Sequence, residues 1–177
     1  WKIDQKRREI VKHPAKRKVL VAGRRFGKSH LSLIWLLSRE LQENERRWII
    51  TPTYRSGKAT TWRLMRQMFR EYKCQINESE LAIKLPNNSE ISIKGAEQEN
   101  NLRGAGLDMV VIEEYSYIKP RVWEEIIYPM LTTTDGDAFF IGTPNGYDHL
   151  YDAYLRGQGK DKDWKSWQYT TVDGGYV

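Results

Sequence analysis

The chain has 177 residues, a formal charge of +6, an isoelectric point near 9.3 and a mean hydropathy of −0.70. That length can bury one substantial core, and no apolar run is long enough for a helix to cross a bilayer. The lone cysteine, Cys74, excludes an intrachain disulfide and a thiolate metal cluster, while the basic balance admits a polyanionic partner without requiring one.

Residues 1–18 are basic. A helix is expected over the first half, where Ile3, Arg7 and Ile10-Val11 fall near one face, and His13-Pro14 ends it. A buried strand, Lys18–Val21, runs into Ala22-Gly-Arg-Arg-Phe-Gly-Lys-Ser29. A long helix over Lys28–Asn44 follows, with Leu31, Ile34, Trp35, Leu37 and Leu41 as its buried stripe. Strand, glycine-bounded basic turn and a helix opening on Gly27-Lys28-Ser29 are the parts of a nucleoside-triphosphate site. Amides of the loop and helix N-terminus surround an anion, the Lys28 ammonium reaches the terminal phosphates, and the Ser29 hydroxyl ligates Mg²⁺. One position departs from the usual G-x-x-x-x-G-K-[ST] spacing: Ala22 stands at the first glycine, with Gly23 one place later. His30 adjoins the loop, but His13, His30 and His149 have no metal-ligand spacing.

A second strand is expected over Trp48–Thr51, then a loop over Thr53–Lys58 and an amphipathic helix over Ala59–Tyr72. Period two takes over at Leu81–Leu85 and Glu90–Lys94 around the turn Pro86-Asn-Asn-Ser89, which makes a β-hairpin extending or inserted into the sheet. A polar, glycine-rich loop over 95–106 precedes a short apolar strand, Asp108–Ile112, that ends in Glu113-Glu114. There follow a helix over Pro120–Tyr128, a strand over Ala138–Gly142 and the turn Thr143-Pro-Asn-Gly146. A short helix over His149–Arg156, a charged turn over Gly157–Asp163 and a strand over Trp167–Thr171 complete the order. Alternating strands and helices make an α/β protein with a mostly parallel central sheet flanked by helices.

The strand before Glu113-Glu114 delivers two carboxylates at its C-terminal edge. A phosphate-loop site needs an acid there to help hold Mg²⁺ and a second to orient the attacking water. Glu113 is assigned to the metal, through water, and Glu114 to the water, because adjacent residues at a strand end point apart. Glutamate at the metal position is a departure, since aspartate is usual there. Gly142 and Gly146 permit a sharp turn that presents the Thr143 hydroxyl and Asn145 amide beside the phosphate strand.

Together, Gly23-Arg-Arg-Phe-Gly-Lys-Ser29, the strand with Glu113-Glu114, Leu102-Arg-Gly-Ala105 and Phe140-Ile-Gly-Thr-Pro-Asn-Gly146 resemble the ATPase half of large terminase subunits, the motors that drive DNA into tailed-phage capsids. The resemblance implies a P-loop NTPase fold of the RecA, additional-strand type, with ATP and Mg²⁺ as ligands. It implies that Thr143, Pro144, Asn145 and Gly146 form a coupling motif sensing the γ-phosphate, and that Arg103 reaches a neighbouring subunit's ATP. For Arg103, a DNA-phosphate contact and an ordinary surface position stay open as alternatives. Of Arg24 and Arg25, Arg24 is favoured as the phosphate sensor within the subunit. Gln5, near the N-terminus, is similar to the family's adenine-recognition glutamine. Glu114, Lys28, Arg24 and Arg103 are thus the expected catalytic set. The nucleotide-binding set is Gln5 with Gly23, Arg24, Arg25, Phe26, Gly27, Lys28, Ser29 and His30. Arg55 and Lys58 are weaker candidates for DNA contact.

The implied partners are double-stranded DNA, a homo-oligomeric ring of the same chain on a portal protein, and a small terminase subunit, in the host-cell cytoplasm and docked transiently on a procapsid; no membrane partner is implied. The expected layout is a core over residues 1–156 and the start of a lid over 157–177. The chain reads as a piece of a longer polypeptide, monomeric when isolated. The acidic metal cluster of the family's C-terminal nuclease domain has no counterpart in the sequence, so ATP hydrolysis without DNA cleavage is expected. Two other readings remain open. A helicase ATPase core would need a second RecA-like domain to supply an arginine, and a nucleotide-dependent switch module would bind ATP with little turnover.

Overall fold

Along the first strand, Arg17–Ala22 (β1), Leu20 and Ala22 pack into one apolar cluster and Val19 and Val21 into another on the opposite face. A strand buried on both faces belongs inside a helix-covered sheet. The computed structural model, which describes residues 3–104 and 106–174, places it there. The other strands are Arg46–Thr51 (β2), Gln75–Asn77 (β3), Ala82–Lys84 (β4), Glu90–Gly95 (β5), Met109–Glu113 (β6), Asp137–Gly142 (β7) and Trp164–Tyr169 (β8). They form one eight-stranded sheet in the order β3-β4-β5-β2-β6-β7-β1-β8. Only β3–β4 and β4–β5 pair antiparallel; the remaining ladders are parallel. The chain is an α/β protein of the phosphate-loop class, with β7 lying between the loop strand β1 and the acidic strand β6.

The α-helices are Gln5–Lys12 (α1), Lys28–Leu36 (α2), Tyr54–Gly57 (α3), Arg63–Met68 (α4), Tyr128–Thr132 (α5) and His149–Gln158 (α6). A π-helical turn, Lys58–Trp62, joins α3 to α4, and another, Val122–Ile127, leads into α5. Residues of α2 and α4 share one core with Leu20, Val111 and Phe139. Ile126, Met130 and Leu150 share the other with Val21, Val110 and Phe140.

Four expectations are corrected. The helix expected to reach Asn44 ends at Leu36. Arg47, wholly buried on β2, donates to the Leu36 carbonyl, to that of Arg39 at 3.0 Å and to that of Glu40 at 2.9 Å, and it pairs with Glu45 at 2.8 Å. Those carbonyls are therefore satisfied by a side chain instead of by further helical turns. Thr53–Lys58, expected as a loop, is helical from Tyr54, because Thr53 and Ser56 form a reciprocal capping box. The short strand β3 was not expected; its three residues are all exposed and carry no alternation of burial. The last strand begins at Trp164, three residues early, since its register against β1 starts at Arg17↔Trp164.

The hairpin expected around Pro86–Ser89 is present as β4 and β5, and β5 also pairs parallel to β2, which builds the hairpin into the main sheet. Residues 164–169, within the stretch expected to open a lid, lie along β1 as an edge strand. Among the described residues, no helix is long and apolar enough to cross a membrane.

Candidate active site

The loop between β1 and α2 turns through two left-handed residues, Arg25 (φ 64°) and Gly27 (φ 84°). At Gly27, the residue before the helix, glycine adopts that conformation without a Cβ penalty. Lys28 then opens α2, and in this structure its ammonium folds back into the loop. It donates to the Ala22 and Gly23 carbonyls and to the Thr143 hydroxyl, each at 3.1 Å, and its nitrogen lies 4.0 Å from Glu114 Oε1. Three donors on three acceptors use the whole capacity of an ammonium. Burial pushes Lys28 below its ordinary pKa, while the Glu114 and Glu113 carboxylates work in the opposite direction.

Strand alternation separates the two glutamates. Met109 and Val111 face the α2 side of β6, and Glu113 continues that face. It is buried, its Oε1 accepts from Ser32 Oγ at 2.8 Å and its Oε2 from Thr61 Oγ1 at 2.7 Å. Burial holds the Glu113 carboxyl above the usual carboxylate range, against the hydrogen bonds of Thr61, Ser32 and Ser29, and the neighbouring Glu114 charge adds to the rise. Glu114 leaves the strand in the left-handed region, at φ 50° and ψ 50°, a conformation that costs a non-glycine residue on the order of 1 kcal/mol or more. That turn carries its carboxylate to the Lys28 side.

Thr143 follows directly on β7, which lies against β1, so the register brings its hydroxyl to Lys28. Pro144, Asn145 and Gly146 are exposed beyond it, and Gly146 has φ 72°. Arg24, Arg25 and His30 are exposed around the loop, whereas Phe26, expected in the nucleotide-binding set, is wholly buried and its ring packs into the core. The Phe26 ring lies between the Arg7 guanidinium, 4.6 Å from its centroid, and the Tyr169 ring, stacked at 5.2 Å. Arg7 also donates to the Phe26 carbonyl at 2.5 Å and to the Gly174 carbonyl at 3.1 Å. Gln5, exposed on the first turn of α1, stands two residues before this clamp.

Arg103 is exposed after a 3-10 turn, Glu99–Leu102, and Ala105 of the same segment lies outside the described residues. Arg55 and Lys58 are exposed on the helix after β2, with the Lys58 ammonium over the Tyr54 ring at 5.9 Å. The structure thus brings together Lys28, Thr143 and Glu114, with Glu113 on the adjoining face of β6, and leaves Arg103, Arg55 and Lys58 on the surface. Sequence reading missed Ser32, Thr61 and Arg7. For Ser32, a polar residue inside an otherwise apolar helical run was the available signal.

Among the described residues there is no cluster of three or more His, Cys, Asp or Glu side chains that could hold a metal ion. Ser29 and Glu113 supply a hydroxyl and a carboxylate, an oxygen-only donor pair. Mg²⁺ suits such a pair, because it takes one or two carboxylates and fills its shell with phosphate oxygens and water.

The family model described as "Terminase large subunit, T4likevirus-type, N-terminal" matches residues 19–175. The chain belongs to the terminase large-subunit family. Curated relatives, the terminase large subunits of Thermus phage G20c and Thermus virus P23-45, are each 30% identical over 169 residues, which cover 84% of this chain and 35% of theirs. The chain therefore spans about a third of the length of those relatives. The large terminase ATPase domain of Thermus phage P74-26 is 28% identical with a TM-score of 0.78, over 99% of this chain and 84% of that one. The large terminase of another thermophilic bacteriophage, 12% identical over 100% of this chain and 48% of its own, shares the fold with a TM-score of 0.80. That phage protein has also been solved with ADP and with ATP-γ-S. The match places this chain at the ATPase domain of the family.

Proposed function

We propose that this domain hydrolyses ATP as its Mg²⁺ complex and that, within a longer terminase, hydrolysis moves double-stranded DNA. The observation that carries the reading is the convergence of Lys28, Thr143 and Glu114 at the C-terminal ends of three adjacent strands. Loop amides and the α2 N-terminus would cradle the phosphates, and Lys28 would exchange its loop carbonyls for phosphate oxygens. Glu114 would orient a water for in-line attack on the γ-phosphorus and accept its proton. Mg²⁺ held by Ser29 and by Glu113, through water, would neutralise charge on the transferring phosphoryl group. Thr143 would lose or regain Lys28 as the phosphate comes and goes, which suits a relay through Pro144, Asn145 and Gly146. Gln5 would select adenine, Arg24 would sense phosphate within the subunit, and exposed Arg103 would complete a neighbour's site. Arg55 and Lys58 would contact DNA phosphates, in a salt-sensitive and sequence-independent manner.

The test is steady-state ATPase with and without double-stranded DNA, across protein concentration, for the unaltered chain, Arg103→Ala and Glu114→Gln. Specific activity should rise with concentration, and each substitution should lower it by about 1,000-fold or more, of the order an arginine finger contributes. Concentration-independent turnover that Arg103→Ala leaves intact would return Arg103 to the surface. Tight ATP binding with no turnover under any condition would make the domain a nucleotide-dependent switch.

A further inference from the structure

The helix that follows β2 reaches the acidic strand through one buried hydroxyl. Its buried face runs Gly57, Thr61, Trp62, Met65 and Phe69. Two features deliver Thr61 to Glu113. At Gly57 the helix lies so close to the sheet that a Cβ would meet Ile93 Cγ2 at 2.6 Å and Thr51 Oγ1 at 2.7 Å. From the next residue the backbone widens into the π-turn Lys58–Trp62, which adds a residue to the turn and faces both Thr61 and Trp62 inward. Single π-turns within α-helices are uncommon and concentrate at functional sites.

Distance assigns the Thr61 proton: its hydroxyl lies 2.7 Å from Glu113 Oε2 and 3.4 Å from the Thr60 hydroxyl, which itself donates to the Ser56 carbonyl at 2.8 Å. On the other oxygen, Ser32 stands within 2.8 Å of both Glu113 Oε1 and the Ser29 carbonyl, and its single proton can serve only one of them. Thr61 is therefore the dedicated donor that fixes the plane of the carboxylate, and it comes from a separate helical segment packed on the same face of the sheet as α2. Its helix turns the exposed basic residues Lys58 and Arg63 to solvent within three residues of it.

We propose that Thr61 is a positioning residue of the nucleotide site, whose hydroxyl orients the Glu113 carboxylate and so sets the Mg²⁺ requirement for nucleotide binding. The inference rests on the proposed assignment of Glu113 to the metal. In this reading Thr61 would act through Glu113 and not by contact with nucleotide or metal. It acts by holding Oε2 of Glu113 while Oε1 lies against Ser32 of the loop helix. A threonine that merely satisfied a buried acid would contribute stability and leave the metal requirement unmoved.

The experiment is a Mg²⁺ titration of ADP and ATP-γ-S binding, read with a fluorescent nucleotide, alongside thermal melts without nucleotide. Thr61→Val keeps the shape and removes the donor; Thr61→Ser keeps the donor and removes the methyl. Thr61→Val should raise the Mg²⁺ concentration for half-saturation about tenfold, the scale of one charge-assisted hydrogen bond, and leave metal-free nucleotide affinity unchanged. Thr61→Ser should restore the unaltered requirement. Equal shifts in the two variants, or a folded Thr61→Val with an unaltered requirement, would overturn the proposal. Should Thr61→Val fail to fold, Thr61→Ala against Thr61→Ser decides in the same way. If the unaltered chain bound no Mg-nucleotide, the proposed function itself would fall and carry this inference with it; if it binds and the variants match it, only the role of Thr61 falls.

Discussion

Arg47→Met tests how α2, the helix that carries Lys28 and Ser29, is held at its far end. Methionine keeps an unbranched apolar stem in the space of the arginine and removes the guanidinium. The carbonyls of Leu36, Arg39 and Glu40 then lose a donor together. Arg39 and Glu40 are exposed, so water can replace the donor at their carbonyls, whereas Leu36 is wholly buried. Glu45 is not orphaned, because Arg39 at 3.0 Å and the Gln42 amide at 2.8 Å still reach it. Relief of the buried, unpartnered Arg47 Nε offsets part of the loss. Truncating a buried ion-pair partner costs about 3–5 kcal/mol, and these terms put Arg47→Met near the lower end, at about 3 kcal/mol. For a chain of this size each kcal/mol moves the melting temperature by about 2–4 °C, so a fall of about 6–12 °C is expected. Circular dichroism melts of nucleotide-free protein measure it. Arg47→Lys should recover little, since one ammonium cannot span the same fan of carbonyls. A fall under about 2 °C for Arg47→Met would refute the reasoning and make the early end of α2 a property of its own sequence.

Glu113→Gln should separate stability from function. Burial raises the folded-state pKa of Glu113 above its ordinary 4.5. Its contribution is therefore fully present below about pH 4.5 and is lost as pH rises through the folded value. Without metal or nucleotide, the melting temperature of Glu113→Gln minus that of the unaltered protein should grow from about pH 4.5 upward and then level, while Mg-nucleotide binding weakens; a difference that shrinks with pH would contradict the burial. Gly23→Ala should destabilise by about 1–3 kcal/mol, because the new Cβ would meet the Thr171 amide nitrogen at 2.6 Å. Thr171→Ala should not rescue it, since the clash includes backbone, and a rescued double variant in urea unfolding would count against that packing.

Several elements were legible because their signals are local. The apolar run into Gly27-Lys28-Ser29 specifies a strand, a phosphate loop and a helix start within one short stretch, and the alternation around Pro86–Ser89 specifies a hairpin. The separate facing of Glu113 and Glu114 also follows from local geometry, since adjacent residues at a strand end cannot both face one layer. Where α2 stops was not legible, because its last carbonyls are taken by a residue eleven positions away on the next strand. The capping box of Thr53 and Ser56 lacks the glutamate or glutamine that usually advertises it.

The sequence by itself determined the class of fold, the family resemblance and the position of the phosphate loop, for these depend on residue type and spacing over short stretches. Only the tertiary structure decided which distant side chains complete the site. Thr143 reaches Lys28 from 115 positions away and Thr61 reaches Glu113 across 52, through strand order and the close seat of a helix at Gly57. Hydrogen bonds form between groups that meet in space, and a buried carboxylate takes its donors from whichever elements the packing brings to it.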